Sequence, residues 1–183
     1  MARSGDDKSF VLWFTGLSGA GKTTLADKVY DCIARNGWRV EKLDGDMVRS
    51  VFPSTGFSKE DRDAHIKRVG FLASLLEKHS VIVIASFISP YREARQFVRD
   101  HCRNFIEVYV SASLEECERR DPKGLYRKAR AGEIKSFTGI DDAYEAPPAP
   151  ELVVDTENHT VEESVSTILN YLKRHVGEGL VLD

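Results

Sequence analysis

The sequence predicts an α/β protein, a five-stranded parallel sheet with helices on both faces. Three observations carry this reading. Short, almost wholly apolar runs recur along the chain and suit strands buried on both faces. Segments with helical spacing of apolar residues separate them, as in strand–helix–strand units joined by crossovers. Between the first apolar run and the first helical segment lies a glycine-rich turn, Gly16-Leu17-Ser18-Gly19-Ala20-Gly21-Lys22-Thr23.

The first strand spans residues 9–15. The helix after the turn, beginning Thr24-Leu25-Ala26, should stop near Asn36-Gly37, where glycine accepts the left-handed conformation that ends helices. Residues 38–43 read as a second strand. It ends at Asp44-Gly45-Asp46, where strands of such sheets face a ligand crevice. Ser58 can cap the next helix with Asp61 three positions on, and that helix runs to about His79. Val81-Ile82-Val83-Ile84-Ala85 reads as a central strand. Phe87-Ile88-Ser89-Pro90 breaks it, and Pro90 suits the first turn of another helix. Residues 105–110 make a fourth strand and Ser113 to about Arg120 a short helix. Residues 152–154 make a short fifth strand, and Val161 to about His175 a last amphipathic helix. Residues 177–183 are uninformative.

A chain of 183 residues with 42% hydrophobic and 30% charged residues reads as one soluble domain, residues 1–183. A net charge of −3 implies no general affinity for nucleic acid, so an anionic substrate needs a local basic patch. Cys32, Cys102 and Cys117 are far apart and read as reduced thiols. No apolar run approaches the roughly 18 residues of a membrane span, and the polar start lacks a signal peptide's apolar stretch. A cytoplasmic protein without a membrane or nucleic-acid partner is expected.

The glycine-rich turn fits G-x-x-x-x-G-K-[ST], the phosphate-binding loop, and its strand-before, helix-after context fits too. The expected architecture is thus the three-layer P-loop NTPase fold. Its glycines let backbone N–H groups turn inward on phosphate oxygens, and the helix adds the positive end of its dipole. Lys22 would reach the β- and γ-phosphates, and the Thr23 hydroxyl would hold Mg²⁺. The loop points to a nucleoside triphosphate and leaves the acceptor open.

Residues 121–150 change character. Pro122, Pro147, Pro148 and Pro150 fall here with Gly124, Gly132 and Gly139, beside Lys123, Arg127, Lys128, Arg130 and Lys135. This composition reads as a mobile lid carrying positive charge, or as a solvated surface loop.

Five further segments narrow the acceptor. Leu43-Asp44-Gly45-Asp46-Met47-Val48-Arg49 resembles the LDGDxxR segment of adenylyl-sulfate kinases. So does Gly56-Phe57-Ser58 with Asp61-Arg62. Phe87-Ile88-Ser89-Pro90-Tyr91-Arg92, Asp121-Pro122-Lys123-Gly124-Leu125-Tyr126 and Phe137-Thr138-Gly139-Ile140-Asp141 resemble that family's FISPYR, DPKGLY and FTGID segments. They come in the family's order over residues 10 to 156. The resemblance implies transfer of the γ-phosphoryl group of ATP to the 3′-hydroxyl of adenylyl sulfate, with Mg²⁺, giving 3′-phosphoadenylyl sulfate and ADP. It also implies a homodimer working with an ATP sulfurylase.

The resemblance places roles on residues. Asp46 would orient the 3′-hydroxyl and accept its proton; Asp44 could do so instead, or hold Mg²⁺ through water. Arg49, Arg62 and Lys123 would meet the phosphosulfate, for which the guanidinium fork is suited. Phe57 and Phe137 would sandwich the adenine from outside the core. Ile88, Ser89 and Leu125 would line the same pocket, with Ser89 near the phosphosulfate. His65 stands where the family has asparagine, and Ser136 where it often has glycine. A histidine there predicts pH-dependent substrate binding near neutrality. On the ATP side, Arg120 could stack on adenine, Arg130 could reach phosphates after closure, and Thr156 and His159 could line the adenine pocket. A gluconate or nucleoside monophosphate kinase is the nearest alternative enzyme. A nucleotide-binding regulatory module without catalysis is the alternative of another class.

Overall fold

The structure, a computed structural model, describes residues 9–52 and 56–176, the side chain of Asp46 excepted. The apolar runs form one five-stranded sheet in the order β2-β3-β1-β4-β5. All its pairs are parallel. β1 (Val11–Thr15) is the central strand, with every residue buried. It pairs with β3 (Ile82–Ser86) on one side and β4 (Phe105–Ser111) on the other. β2 (Val40–Asp44) and β5 (Leu152–Asp155) are the edges.

The two-residue period of a strand divides the core. Phe10, Leu12 and Phe14 face one layer with α1 (Lys22–Arg35) and α7 (Val161–His175). Val11 and Trp13 face the other, with α3 (Lys59–Lys78) and α4 (Arg92–His101). α5 (Leu114–Arg120) and α6 (Leu125–Arg130) join the first layer through Cys117, Tyr126 and Ala129. Each fully buried aliphatic or aromatic side chain contributes about 1.5–3 kcal/mol, so a strand apolar on both faces belongs at the centre.

Register positions the site. Asp44 lies opposite Ser86, and Ser86 opposite Phe14. The carboxyl ends of β2, β3 and β1 therefore share one rim. The glycine-rich turn, α2 (Gly45–Val51) and Phe87-Ile88-Ser89 all leave from it.

Helix ends follow their sequence signals. Asn36 is the C-cap of α1, and Gly37 follows at φ 77°. The Ser58 hydroxyl accepts from the Asp61 N–H at 3.1 Å, and Thr160 and Glu163 form a capping box at α7. Four expectations need correction. β1 and β2 start at Val11 and Val40, each two residues later than expected. Pro90 lies outside α4, whose N-cap is Tyr91. The Pro90 carbonyl accepts from the Glu145 N–H, and the Glu145 carboxylate accepts from the Arg92 N–H at 2.8 Å, so a chain segment from far along starts that helix. Within residues 121–150, α6 is a short helix anchored by buried Tyr126 and Ala129 where the composition reads as loop. None of the described helices is long and apolar enough to cross a membrane.

Candidate active site

Between β1 and α1 the chain must pass close to other backbone. A Cβ at Gly16 would sit 2.4 Å from the Val110 carbonyl oxygen, and one at Gly19 would sit 2.9 Å from that of Cys117. Only glycine fits at either position. The turn's carbonyls are held by side chains, one from within the turn and two from outside it. Lys22 Nζ donates to the Leu17 carbonyl at 2.7 Å, the Tyr126 hydroxyl to Ser18 at 2.9 Å, and Thr156 Oγ1 to Ala20 at 2.8 Å.

Lys22 is buried, and burial pulls its pKa from 10.5 down to about 8. A buried ammonium with this deficit suits a multiply charged anion, which would restore the charge. Thr23 and Asp44 line the same space. Together they supply the hydroxyl and carboxylate oxygens that a magnesium–nucleotide takes.

A cavity of about 1580 Å³ opens from the turn. Single-ligand pockets run to about 1,000 Å³, so this one has room for two nucleotide-sized molecules. One end is lined by Gly19, Lys22, Thr23, Arg120, Thr156 and His159. The other is lined by Arg49, Phe57, Arg62, His65, Phe137 and the Ile88-Ser89 turn, with Asp44, Lys123 and Leu125 also on its wall. Ser18 and Gly21 of the turn, and Thr24 at the start of the helix behind it, also line it. Gly16, Leu17, Ala20, Arg130 and Ser136 do not line it. The side chain of Asp46 lies outside the described atoms; its backbone is in the first turn of α2.

Several expected residues are held differently from the sequence reading. Arg130 is paired with Glu118 by two bonds of 2.9 Å, away from the cavity. Arg120 is tied at 2.7 Å to Glu116 Oε1 and at 2.6 Å to the Thr156 carbonyl. Arg62 is buried and donates to Thr138 Oγ1 (2.6 Å), Asp142 Oδ2 (2.8 Å) and the Ser136 carbonyl. The Tyr91 hydroxyl donates to the same Asp142 oxygen at 2.6 Å. Arg62 therefore binds the 136–142 segment to α3. Ser136 has φ 54°, a left-handed conformation that glycine would adopt without strain.

The two aromatics are not alike. Phe57 is 64% exposed, with the Arg49 guanidinium 4.9 Å from its ring centroid. Phe137, expected outside the core, is 8% exposed and packs edge-on to Tyr126 at 5.0 Å. Ser89 is buried at φ 40°. Its hydroxyl accepts from Trp13 Nε1 and donates to Thr15 Oγ1, both at 3.1 Å, and its carbonyl accepts from Arg95.

His65 is more deeply buried than a substrate-binding histidine would need to be. It is 1% exposed, and neither ring nitrogen has a partner. Burial, then Arg49 and Arg68, lowers its pKa from 6.5 to about 4. Burial thus favours the neutral imidazole near neutrality, which argues against the pH-dependent substrate binding expected from a histidine here. Residues the sequence reading missed include Lys42, Phe87 and Thr138 on the cavity wall. Phe87 and Thr138 lie inside the quoted segments, whereas Lys42 on an edge strand carries no signal.

The adenylylsulphate kinase family profile matches residues 8–155. An adenylyl-sulfate kinase of Halothermothrix orenii is 54% identical over 169 residues, covering 92% of this chain and 91% of that protein. A probable adenylyl-sulfate kinase of Pseudomonas aeruginosa is 57% identical over 161 residues, 87% of this chain and 75% of that protein. The structure of the Mycobacterium tuberculosis APS kinase in complex with AMPPNP and APS has a TM-score of 0.86 at 38% identity, covering 91% of this chain and 98% of that one. A gluconokinase of Sinorhizobium meliloti shares the fold alone, with a TM-score of 0.56 at 16% identity. With its phosphate loop, its five ordered segments and a profile match over most of its length, the chain belongs to the adenylylsulphate kinase family.

Proposed function

We propose that the chain transfers the γ-phosphoryl group of ATP to the 3′-hydroxyl of adenylyl sulfate, giving 3′-phosphoadenylyl sulfate and ADP. The observation that carries this is one continuous cavity with the phosphate loop on its wall together with Phe57, Phe137 and Arg49. ATP occupies the loop end and adenylyl sulfate the aromatic end. The 3′-oxygen attacks the γ-phosphorus in line, the bond to the β,γ-bridging oxygen breaks, and ADP leaves. Asp46 orients the hydroxyl and takes its proton; Asp44 is the alternative. Lys22 follows the charge that builds on the transferred group. Thr23 and Asp44 would hold Mg²⁺, which neutralises phosphate charge when bound.

Phe57 and Phe137 hold the acceptor's adenine, and Arg49, Lys123 and Arg62 set the phosphosulfate end. Ile88, Ser89 and Leu125 shape the wall, and His65 offers a neutral ring nitrogen. Arg120, Thr156 and His159 border the ATP adenine. Movement of residues 121–150 over bound substrates would keep water from the γ-phosphate. A single domain, a homodimer, supply of adenylyl sulfate by an ATP sulfurylase and a cytoplasmic setting belong to the same reading, supported by the family resemblance.

The test is ADP release from Mg²⁺-ATP with and without adenylyl sulfate. Release that requires adenylyl sulfate is expected, and Asp46→Ala should lower kcat by about 100-fold or more, the scale of a lost general base. A fully active Asp46→Ala with an inactive Asp44→Asn would move the base to Asp44. Turnover with gluconate or AMP but not with adenylyl sulfate would overturn the reading.

A further inference from the structure

Tyr126 is fully buried and does not line the cavity. Yet it touches both ends of the site. Its hydroxyl donates to the Ser18 carbonyl at 2.9 Å, and its ring meets the Phe137 ring edge-on, at 5.0 Å and 80°. Desolvation by burial, with Cys117 beside it, raises the phenol's pKa, so the donor proton stays in place at any working pH.

The Ser18 carbonyl and the Gly19 N–H belong to one planar peptide and point in opposite directions. Holding the carbonyl outward on Tyr126 turns the Gly19 N–H inward, toward the cavity that Gly19 lines. Gly19 has φ 78° and approaches the Cys117 backbone so closely that a Cβ there would sit 2.9 Å from the Cys117 carbonyl oxygen. The phenol thus sets the direction of a phosphate-facing donor. Its ring packs against Phe137, which lines the cavity. The backbone around it is fixed as well: Asp121 accepts from the Tyr126 N–H at 3.0 Å and from the Arg127 N–H at 3.1 Å. The lid segment reaches the loop a second way, because Gly139 lies close to Leu17: a Cβ there would be 3.1 Å from its side chain.

We propose that Tyr126 is a positioning residue for both substrates, aiming the phosphate loop through its hydroxyl and the acceptor's aromatic support through its ring. The acceptor half rests on the function proposed above; the loop half needs only nucleotide binding.

The two roles separate by substitution. Tyr126→Phe deletes the hydroxyl and keeps the ring. Tyr126→Leu deletes both. Steady-state kinetics with each substrate varied should show a twofold to tenfold rise (~2–10-fold) in the KM for ATP for Tyr126→Phe, the effect of one hydrogen bond. The KM for adenylyl sulfate should stay within about twofold of wild type, since the ring contact survives. Tyr126→Leu should raise both constants. Thermal unfolding of each variant runs alongside. An unchanged KM for ATP in Tyr126→Phe would overturn the loop role. Variants that lose stability but keep both KM values would make Tyr126 structural only and overturn the inference. If Tyr126→Leu fails to fold, Tyr126→Phe alone still decides, because equal rises in both constants would contradict the division of labour. Wild-type protein that ignores adenylyl sulfate would sink the proposed function instead. Mg²⁺-AMPPNP affinity of Tyr126→Phe would then test the loop role, with unchanged affinity overturning it.

Discussion

Both ring nitrogens of His65 are buried without a protein partner, a cost of about 1–3 kcal/mol for each polar group left so. The ring lines the acceptor end of the cavity, edge-on to Phe87 at 6.0 Å, where a bound molecule could satisfy one nitrogen. Its folded pKa of about 4 lies below the ordinary 6.5. Between those values the unfolded chain binds a proton that the folded chain does not. Stability therefore falls as pH drops through this window, and the slope from this group fades within about one pH unit above 6.5. From pH 6.5 to about pH 5 the loss should be about 1.5 kcal/mol, read from urea midpoints, and His65→Asn should lack it. The KM for adenylyl sulfate should be flat from about pH 6 to 8, where an ordinary histidine would titrate. The sequence places an imidazole at this position but not its ionisation. That depends on Phe87 and Arg49, which the fold brings to it.

At the level of elements, the α3–α4 contact turns on one small residue. A Cβ at Gly70 would sit 2.5 Å from Val98 Cγ2. Val98 is fully buried and β-branched, so it cannot swing aside. Gly70→Ala gains about 1 kcal/mol of helix propensity, but overpacking costs about 1–3 kcal/mol. Net destabilisation is expected, seen as a lower urea midpoint, and Val98→Ala in the same chain should relieve it. A gain in stability for Gly70→Ala alone would show that the helices can part. The same scale explains which elements were legible. β1, β3 and β4 announce themselves because they are apolar on both faces. α2 is only seven residues, read as the end of a strand because Asp44-Gly45-Asp46 carries turn residues. α6 hides behind Pro122, Gly124 and a run of basic residues, and its helical state rests on burying Tyr126 and Ala129. Such short helices have little stability of their own and follow tertiary contacts that a local pattern does not contain.

Across the whole molecule, distant segments meet at two ties on residues 136–142. Arg62 and Tyr91 share Asp142 Oδ2, although they sit 80 and 51 residues away in sequence. Separations of this size are why the quoted segments were legible as a set while their mutual contacts were not. Asp142→Asn keeps the shape and weakens both ties. It should raise the KM for adenylyl sulfate about threefold to tenfold, the scale of one or two charge-assisted hydrogen bonds, with little change for ATP. Hydrogen exchange should quicken in the 136–142 amides; unchanged exchange would show the segment held by packing alone. The sheet order carries a last consequence, for synthesis. β1 is made first, yet its partners are residues 82–86 and 105–111. At ~5–20 residues per second, Val11-Leu12-Trp13-Phe14 waits on the ribosome for several seconds with both hydrogen-bonding edges open. A nascent chain stalled before β3 presents a sticky, unpaired strand, so holdase chaperones have their strongest claim on this protein early in translation, long before the nucleotide loop can close on anything.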